Sequence, residues 1–167
     1  MTPNREKLRH TIPPHYTGNS RILILGTFPS PKSREANFFY GHPQNLFWRV
    51  ISEVFGHPTP QTIAEKKQFL TAKRIALWDV LQSCSIKGAS DSSIKNIVVN
   101  DFGEILATSE IKNIFCTGKT AHRLYEKYCA EKTGIKAIYL PSTSPANKAH
   151  YPYPVLLKEW QILLDFL

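Results

Sequence analysis

Cysteine, acid and long apolar runs are all scarce in this chain, and each shortage removes a class of function. The three cysteines, Cys84, Cys116 and Cys129, show no CxxC spacing and leave an odd count. Such a set excludes a disulfide framework and a cysteine-built metal or iron–sulfur centre, and implies reduced, partly buried thiols. No stretch reaches the roughly 18 apolar residues of a membrane span, and the polar residues 1–10 lack a signal-peptide core. The chain is therefore expected to be soluble and cytoplasmic (nucleoid-associated if prokaryotic), with no membrane partner. HExxH, GxGxxG, a His/Cys cluster and a Ser/His/Asp set are also missing, so metallopeptidase, dinucleotide and serine-hydrolase readings lack their chemistry, and no cofactor or metal is expected. With 13 acidic against 21 basic residues the net charge is +8. That excess attracts polyanions such as nucleic acid, or an anionic membrane surface; a solvated basic surface is the alternative.

What is present reads as one domain, because 167 residues suffice to bury about 70% of the unfolded surface without staples. Residues 21–25, Arg-Ile-Leu-Ile-Leu, form a short apolar run bounded by Gly26-Thr27-Phe28-Pro29-Ser30-Pro31. That pattern predicts a buried strand whose chain leaves the sheet in an ordered loop. The loop continues through Phe38-Phe39-Tyr40 to Asn45, before a helix that ends at Gly56. Further strands are predicted at 74–80, 111–117 and 135–140, and helices at 63–71, in part of 94–109 with Asn100 or Asp101 as cap, from Gly118 to Cys129, and at 155–167. Residues 82–93 read as a polar loop. Gly118-Lys119-Thr120 is not a phosphate loop, since Asn113 stands where that motif needs glycine; Lys119 and the helix amides could still hold one phosphate.

Strands alternating with helices imply an α/β fold with a parallel sheet and helices on both faces. The expected architecture is a three-layer α/β/α sandwich around a central, mainly parallel four-stranded sheet. Residues 1–20 would be an irregular arm whose Arg5, Lys7 and Arg9 touch phosphate or solvent, and 21–167 a single domain. Loops at the carboxyl ends of such strands converge on one cleft. Here they carry aromatic planes, amides, hydroxyls and the cations Lys32, Arg34, Lys87, Lys119 and Lys148, which are parts for gripping a nucleic-acid backbone while stacking on a base. Asp79, at the tip of an apolar strand, needs a partner: a cap, a lysine or a ligand.

Three ordered motifs, Gly26-Thr27-Phe28-Pro29-Ser30, Tyr40-Gly41-His42-Pro43-Gln44-Asn45-Leu46-Phe47-Trp48 and Ser142-Thr143-Ser144-Pro145-Ala146-Asn147, resemble the uracil-DNA glycosylase superfamily. Within it the chain looks most like the hypoxanthine-DNA (deoxyinosine) glycosylases, whose first motif reads G-S-F-P-S and whose last reads S-T-S-P-A-N. The His-Pro-x-Asn-x-Phe-Trp block also resembles mismatch-specific uracil and thymine glycosylases.

The resemblance implies a metal-free enzyme that flips a deaminated base out of DNA and hydrolyses its N-glycosidic bond, working as a monomer on DNA containing such bases. It implies Asn45 as the water-orienting residue, because Phe28 occupies the first-motif place where sister families carry a polar side chain. The other reading of Asn45 is a helix N-cap. Tyr40 aligns with a stacking aromatic, Asp79 with a base-reading side chain, and Gly26, Thr27, Phe28 and Ser142 with base contacts. Pro29, Ser30, Lys32, Ser33, Lys119, Ser144, Pro145, Ala146, Asn147 and Lys148 are the expected DNA contacts, the last loop being otherwise a plain turn. His42 is expected to shape its loop. The rival readings are a mismatch-type uracil or thymine glycosylase and a non-catalytic nucleic-acid-binding module.

Overall fold

The computed structural model describes residues 6–87 and 90–167 of the chain; the contact expected of Arg5 lies outside them. Strand β1 is Glu6–Arg9, and the central strand β2 is Ile22–Gly26. Every residue of β2 is buried, because each face of the strand meets its own apolar cluster. Ile22 and Ile24 join Phe47, Ile51, Leu77, Phe115 and Trp160, whereas Leu23 and Leu25 join Ala76, Cys116, Leu124 and Tyr125. A strand covered on both sides has no solvent face to encode, hence its unbroken apolar sequence.

Strands β3 (Ile75–Asp79), β6 (Asn113–Thr117) and β7 (Ala137–Leu140) complete a four-stranded sheet in the order β3-β2-β6-β7, with every pairing parallel. Helices α2 (Phe47–Val54), α3 (Ile63–Ala72) and α7 (Tyr153–Trp160) supply the first cluster; α4 (Gly103–Ala107) and α5 (Lys119–Tyr128) supply the second. The chain thus forms the expected α/β sandwich. The cap expected at Asn100 or Asp101 falls instead on Phe102, which makes no side-chain cap bond, while Asp101 Oδ1 accepts from Gly103 N–H at 2.8 Å just ahead of α4. The short α6, Ala130–Thr133, follows α5. The last helix is shorter than expected, giving way after Trp160 to a 3₁₀ segment, Gln161–Phe166.

Four expectations are corrected. The arm is not irregular throughout: β1 pairs antiparallel with β4, Leu81–Ile86, which pairs in turn with β5, Lys95–Val99. This second sheet replaces both the polar loop expected at 82–93 and the start of the helix expected at 94–109. Its strands escaped notice because Ser83 and Ser85 are buried hydroxyls rather than apolar residues, and because Asn96 at φ 53° accompanies register shifts that break the alternation. The first loop contains a helix, α1, Pro31–Ala36. Ser30 caps it by accepting from Ser33 N–H, Pro31 sits at its first turn, where a missing N–H costs nothing, and Asn37 closes it at φ 55°.

All three cysteines are buried. Burial pushes the Cys116 thiol up and the Cys129 thiol to about 11, which keeps both protonated and unreactive.

Trp160 is fully buried, and its indole N–H donates to Pro141 O at 3.0 Å, tying α7 to the loop after β7. Trp160→Phe is expected to cost about 2 kcal/mol, through the carbonyl left unpaired and the volume lost. A denaturant midpoint shift checks this, and an unchanged midpoint would contradict it.

Candidate active site

Parallel pairing brings the carboxyl ends of the four strands level, with Gly26 beside Asp79 and Thr117 beside Leu140. The loops that follow enclose a cavity of about 490 Å³. Of the residues expected there, Gly26, Thr27, Phe28, Pro29, Ser30, Ser33, Tyr40, Asn45, Asp79, Lys119, Ser142, Ser144, Ala146 and Asn147 all line it. Lys32, Pro145 and Lys148 do not, and neither do Arg34 or Lys87. Lys32 instead faces Glu35 at 3.6 Å in an exposed pair of little energetic worth. Lys119 is the one cation on the cavity wall among the described residues, at the start of α5, where Gly118 adopts φ 89°.

Asp79 is 5% exposed. Its partner is neither a cap nor a lysine: Oδ2 meets His10 Nε2 at 2.7 Å. Oδ1 lies against the backbone of Gly26, so close that a Cβ on Gly26 would stand 2.6 Å from it. Any larger residue there displaces the carboxylate, so glycine at the end of β2 is what lets an acid share the cavity floor.

Asn45 lies on the cavity wall, one residue ahead of Leu46, which is the N-cap residue of α2 in place of the expected Asn45. The Asn45 Oδ1 accepts from Phe47 N–H at 2.9 Å, at the start of α2, and from Thr143 O–H at 2.8 Å. Two donors occupy both lone pairs of that oxygen, which fixes the amide plane and leaves Nδ2 as the group Asn45 can offer. The same Thr143 accepts Leu46 N–H on its carbonyl, so the second and third motifs are locked together. Ser142 Oγ accepts from Ser144 N–H, and Asn147 Nδ2 donates to Ser142 O; both bonds shape the last loop from within. His42 Nδ1 accepts from Gln44 N–H and lies off the cavity wall, consistent with a loop-shaping side chain.

Phe38 and Phe39 of the aromatic triplet enter the core, and Tyr40 is held at φ 54°, a left-handed conformation that costs of order 1–3 kcal/mol. Its ring stacks on Phe47 at 3.8 Å and 6°, and its hydroxyl meets Thr117 Oγ1 at 3.4 Å. Burial, and then the Asp79 charge, drive the phenol well above its ordinary range, while the Thr117 contact opposes the shift.

Residues 13–163 match the family model described as the uracil DNA glycosylase superfamily. The chain belongs to that superfamily. It is 34% identical to the hypoxanthine DNA glycosylase of Methanosarcina acetivorans over 131 residues, 78% of this chain and 82% of that one. It is 32% identical to the hypoxanthine DNA glycosylase of Methanosarcina barkeri over 82% of this chain and 87% of that one. The solution structure of a candidate uracil DNA glycosylase from Methanosarcina acetivorans superposes with a TM-score of 0.79 at 30% identity, covering 93% of this chain and 95% of that one.

Within this superfamily member, Thr117, Thr143 and His10 are among the wall and support residues that had no role in the sequence reading. Thr117 and Thr143 carry hydroxyls that bind Tyr40 and Asn45; Thr143 sat inside a recognised motif but was passed over. His10 gave no signal, since it lies in the arm, ahead of the matched segment; only the unmet need of Asp79 pointed to such a partner.

A raised phenol means that Tyr40 contributes stability in full below its unfolded value of about 10, and that this contribution is lost as pH climbs through the higher folded value. In a near-ultraviolet titration of the folded protein, wild type and Tyr40→Phe should therefore coincide through the range where ordinary tyrosines ionise. A missing tyrosine amplitude near pH ~10 in the variant would show an ordinary phenol instead.

Proposed function

We propose that the protein is a monofunctional DNA glycosylase that releases hypoxanthine from deoxyinosine, acting as a cytoplasmic monomer. The observation that carries this reading is the buried Asp79 carboxylate on the cavity floor beside Tyr40. A flipped hypoxanthine carries a ring N–H that a carboxylate oxygen accepts, whereas adenine presents a lone pair at the same place and is repelled. Two relatives that share about a third of its residues are hypoxanthine DNA glycosylases, which agrees with this choice. Uracil and xanthine also carry a ring N–H, and the same acceptor extends the range to them.

Everting the nucleotide costs a few kcal/mol, least at a mispair. Stacking on Tyr40 returns roughly 1–3 kcal/mol of that. Breaking the glycosidic bond builds positive charge on the sugar and negative charge on the base, so fixed donors matter more than a strong base. Asn45 Nδ2, backbone amides of the first motif and the Ser142 hydroxyl are the donors on offer. With its oxygen already occupied, Asn45 holds the attacking water by that water's oxygen, or meets the departing base; it does not remove a proton. A sugar cation reacts with neutral water, so none needs removing beforehand. Lys119 at the start of α5, together with Ser30, Ser144 and Ala146, faces the flanking phosphates, with Lys32 and Lys148 further out.

Duplexes carrying a single inosine, uracil, xanthine or ethenocytosine test the reading. Hypoxanthine should be released fastest, leaving an intact strand with an abasic site. Uracil release without hypoxanthine release would favour a mismatch-type enzyme, and no release from any duplex would leave a DNA-binding module. Asn45→Ala should retain affinity for inosine-containing duplex and slow excision at least tenfold, about 1.4 kcal/mol of barrier; unchanged excision would remove Asn45 from the mechanism.

A further inference from the structure

Asp79 is held by a residue from outside the loops at the sheet's carboxyl end. His10 follows β1, and its main-chain N–H donates to Gln82 O at 2.6 Å, so the β1–β4 pairing fixes where its side chain starts. The imidazole is 3% exposed and does not reach the cavity wall. It is caged by Phe28, Phe39 and Trp78, with ring centroids at 5.9, 6.3 and 6.2 Å. Inside that apolar cage its hydrogen-bond partner among the described residues is Asp79 Oδ2. A buried polar ring aimed at one oxygen of a carboxylate on the cavity floor is costly unless the pairing is used.

Resting on Asp79 as the base acceptor, we infer that His10 is the positioning residue for base discrimination: by donating from Nε2 to Oδ2 it leaves Oδ1 as the oxygen offered to the ring N–H of a 6-oxopurine. The carboxylate cannot turn without stranding the imidazole N–H among aromatic rings. The pairing also has an electrostatic effect. The leaving base becomes negative as its bond breaks, and a carboxylate touching it opposes that change. Donation from His10 draws the acid's charge toward the far oxygen, so the acceptor that recognises the base does less to resist its departure. Loss of the donor therefore slows the chemical step and also erodes the preference for hypoxanthine over adenine. His10 touches neither substrate nor water, so it acts only through Asp79.

Single-turnover excision from inosine-containing duplex, with adenine release from the matching A·T duplex and melting temperature measured beside it, tests the inference. His10→Phe suits the cage but has no donor, and should slow hypoxanthine release by about tenfold or more at saturating protein. His10→Gln suits the cage poorly but restores an N–H donor, and should stay within about fivefold of wild type. A role in packing alone predicts the opposite order, with Phe better than Gln, and that order would overturn the inference. In an Asp79→Asn background His10→Phe should add less than about twofold, because the two act as one unit; the full loss recurring there would also overturn it. Should His10→Phe not fold, His10→Met, another donorless side chain for the same cage, takes its place. Wild type failing to release hypoxanthine would sink the proposed function and this inference together, whereas an active wild type with an unaffected donorless variant sinks only the role of His10.

Discussion

A carboxylate buried at the end of the edge strand β3 is costly to keep from water, and much of its surroundings meets that cost. Removing such a group from water is repaid only by close, well-directed partners. Asp79 meets His10 at Oδ2 and packs Oδ1 against the Gly26 backbone, while Asn100 Nδ2 donates to its main-chain carbonyl at 2.8 Å. Each comes from a different part of the chain, so the acid binds the antiparallel sheet, the first motif and the segment after β5 into one support.

Small hydroxyls do comparable work around the rest of the cavity. Ser33, 3% exposed, receives Ser30 O–H and Gly41 N–H, fastening α1 to the loop that carries Tyr40. Thr143 fastens the last motif to the middle one through Asn45 and Leu46. Loops held by such bonds are ordered before a ligand arrives, so the entropy of arranging them is not charged against binding. Ser30 and Ser33, expected from the sequence as DNA contacts, therefore serve first as clasps.

The parallel sheet and its two helical layers were legible because apolar runs punctuated by Gly and Pro report burial directly, as in β2 and β6. The convergence of Tyr40, Asn45 and Ser142 was legible too, since it follows from where strands end. The antiparallel sheet was not, because Ser83 and Ser85 are buried through backbone pairing and not through side-chain hydrophobicity. α1 leaves no such mark, because Pro29 and Pro31 read as breakers, although Pro31 stands where proline starts a helix. The imidazole on Asp79 lay beyond reading, for contacts separated by 69 residues leave no local pattern.

The arm that supplies this imidazole precedes the stretch by which the chain is recognised as a relative of uracil DNA glycosylases. The pairing therefore joins an acid inside that stretch to an imidazole outside it. On the role inferred for His10, two members with identical signature loops would differ in how firmly that acid is held, a difference invisible to a survey keyed to those loops alone.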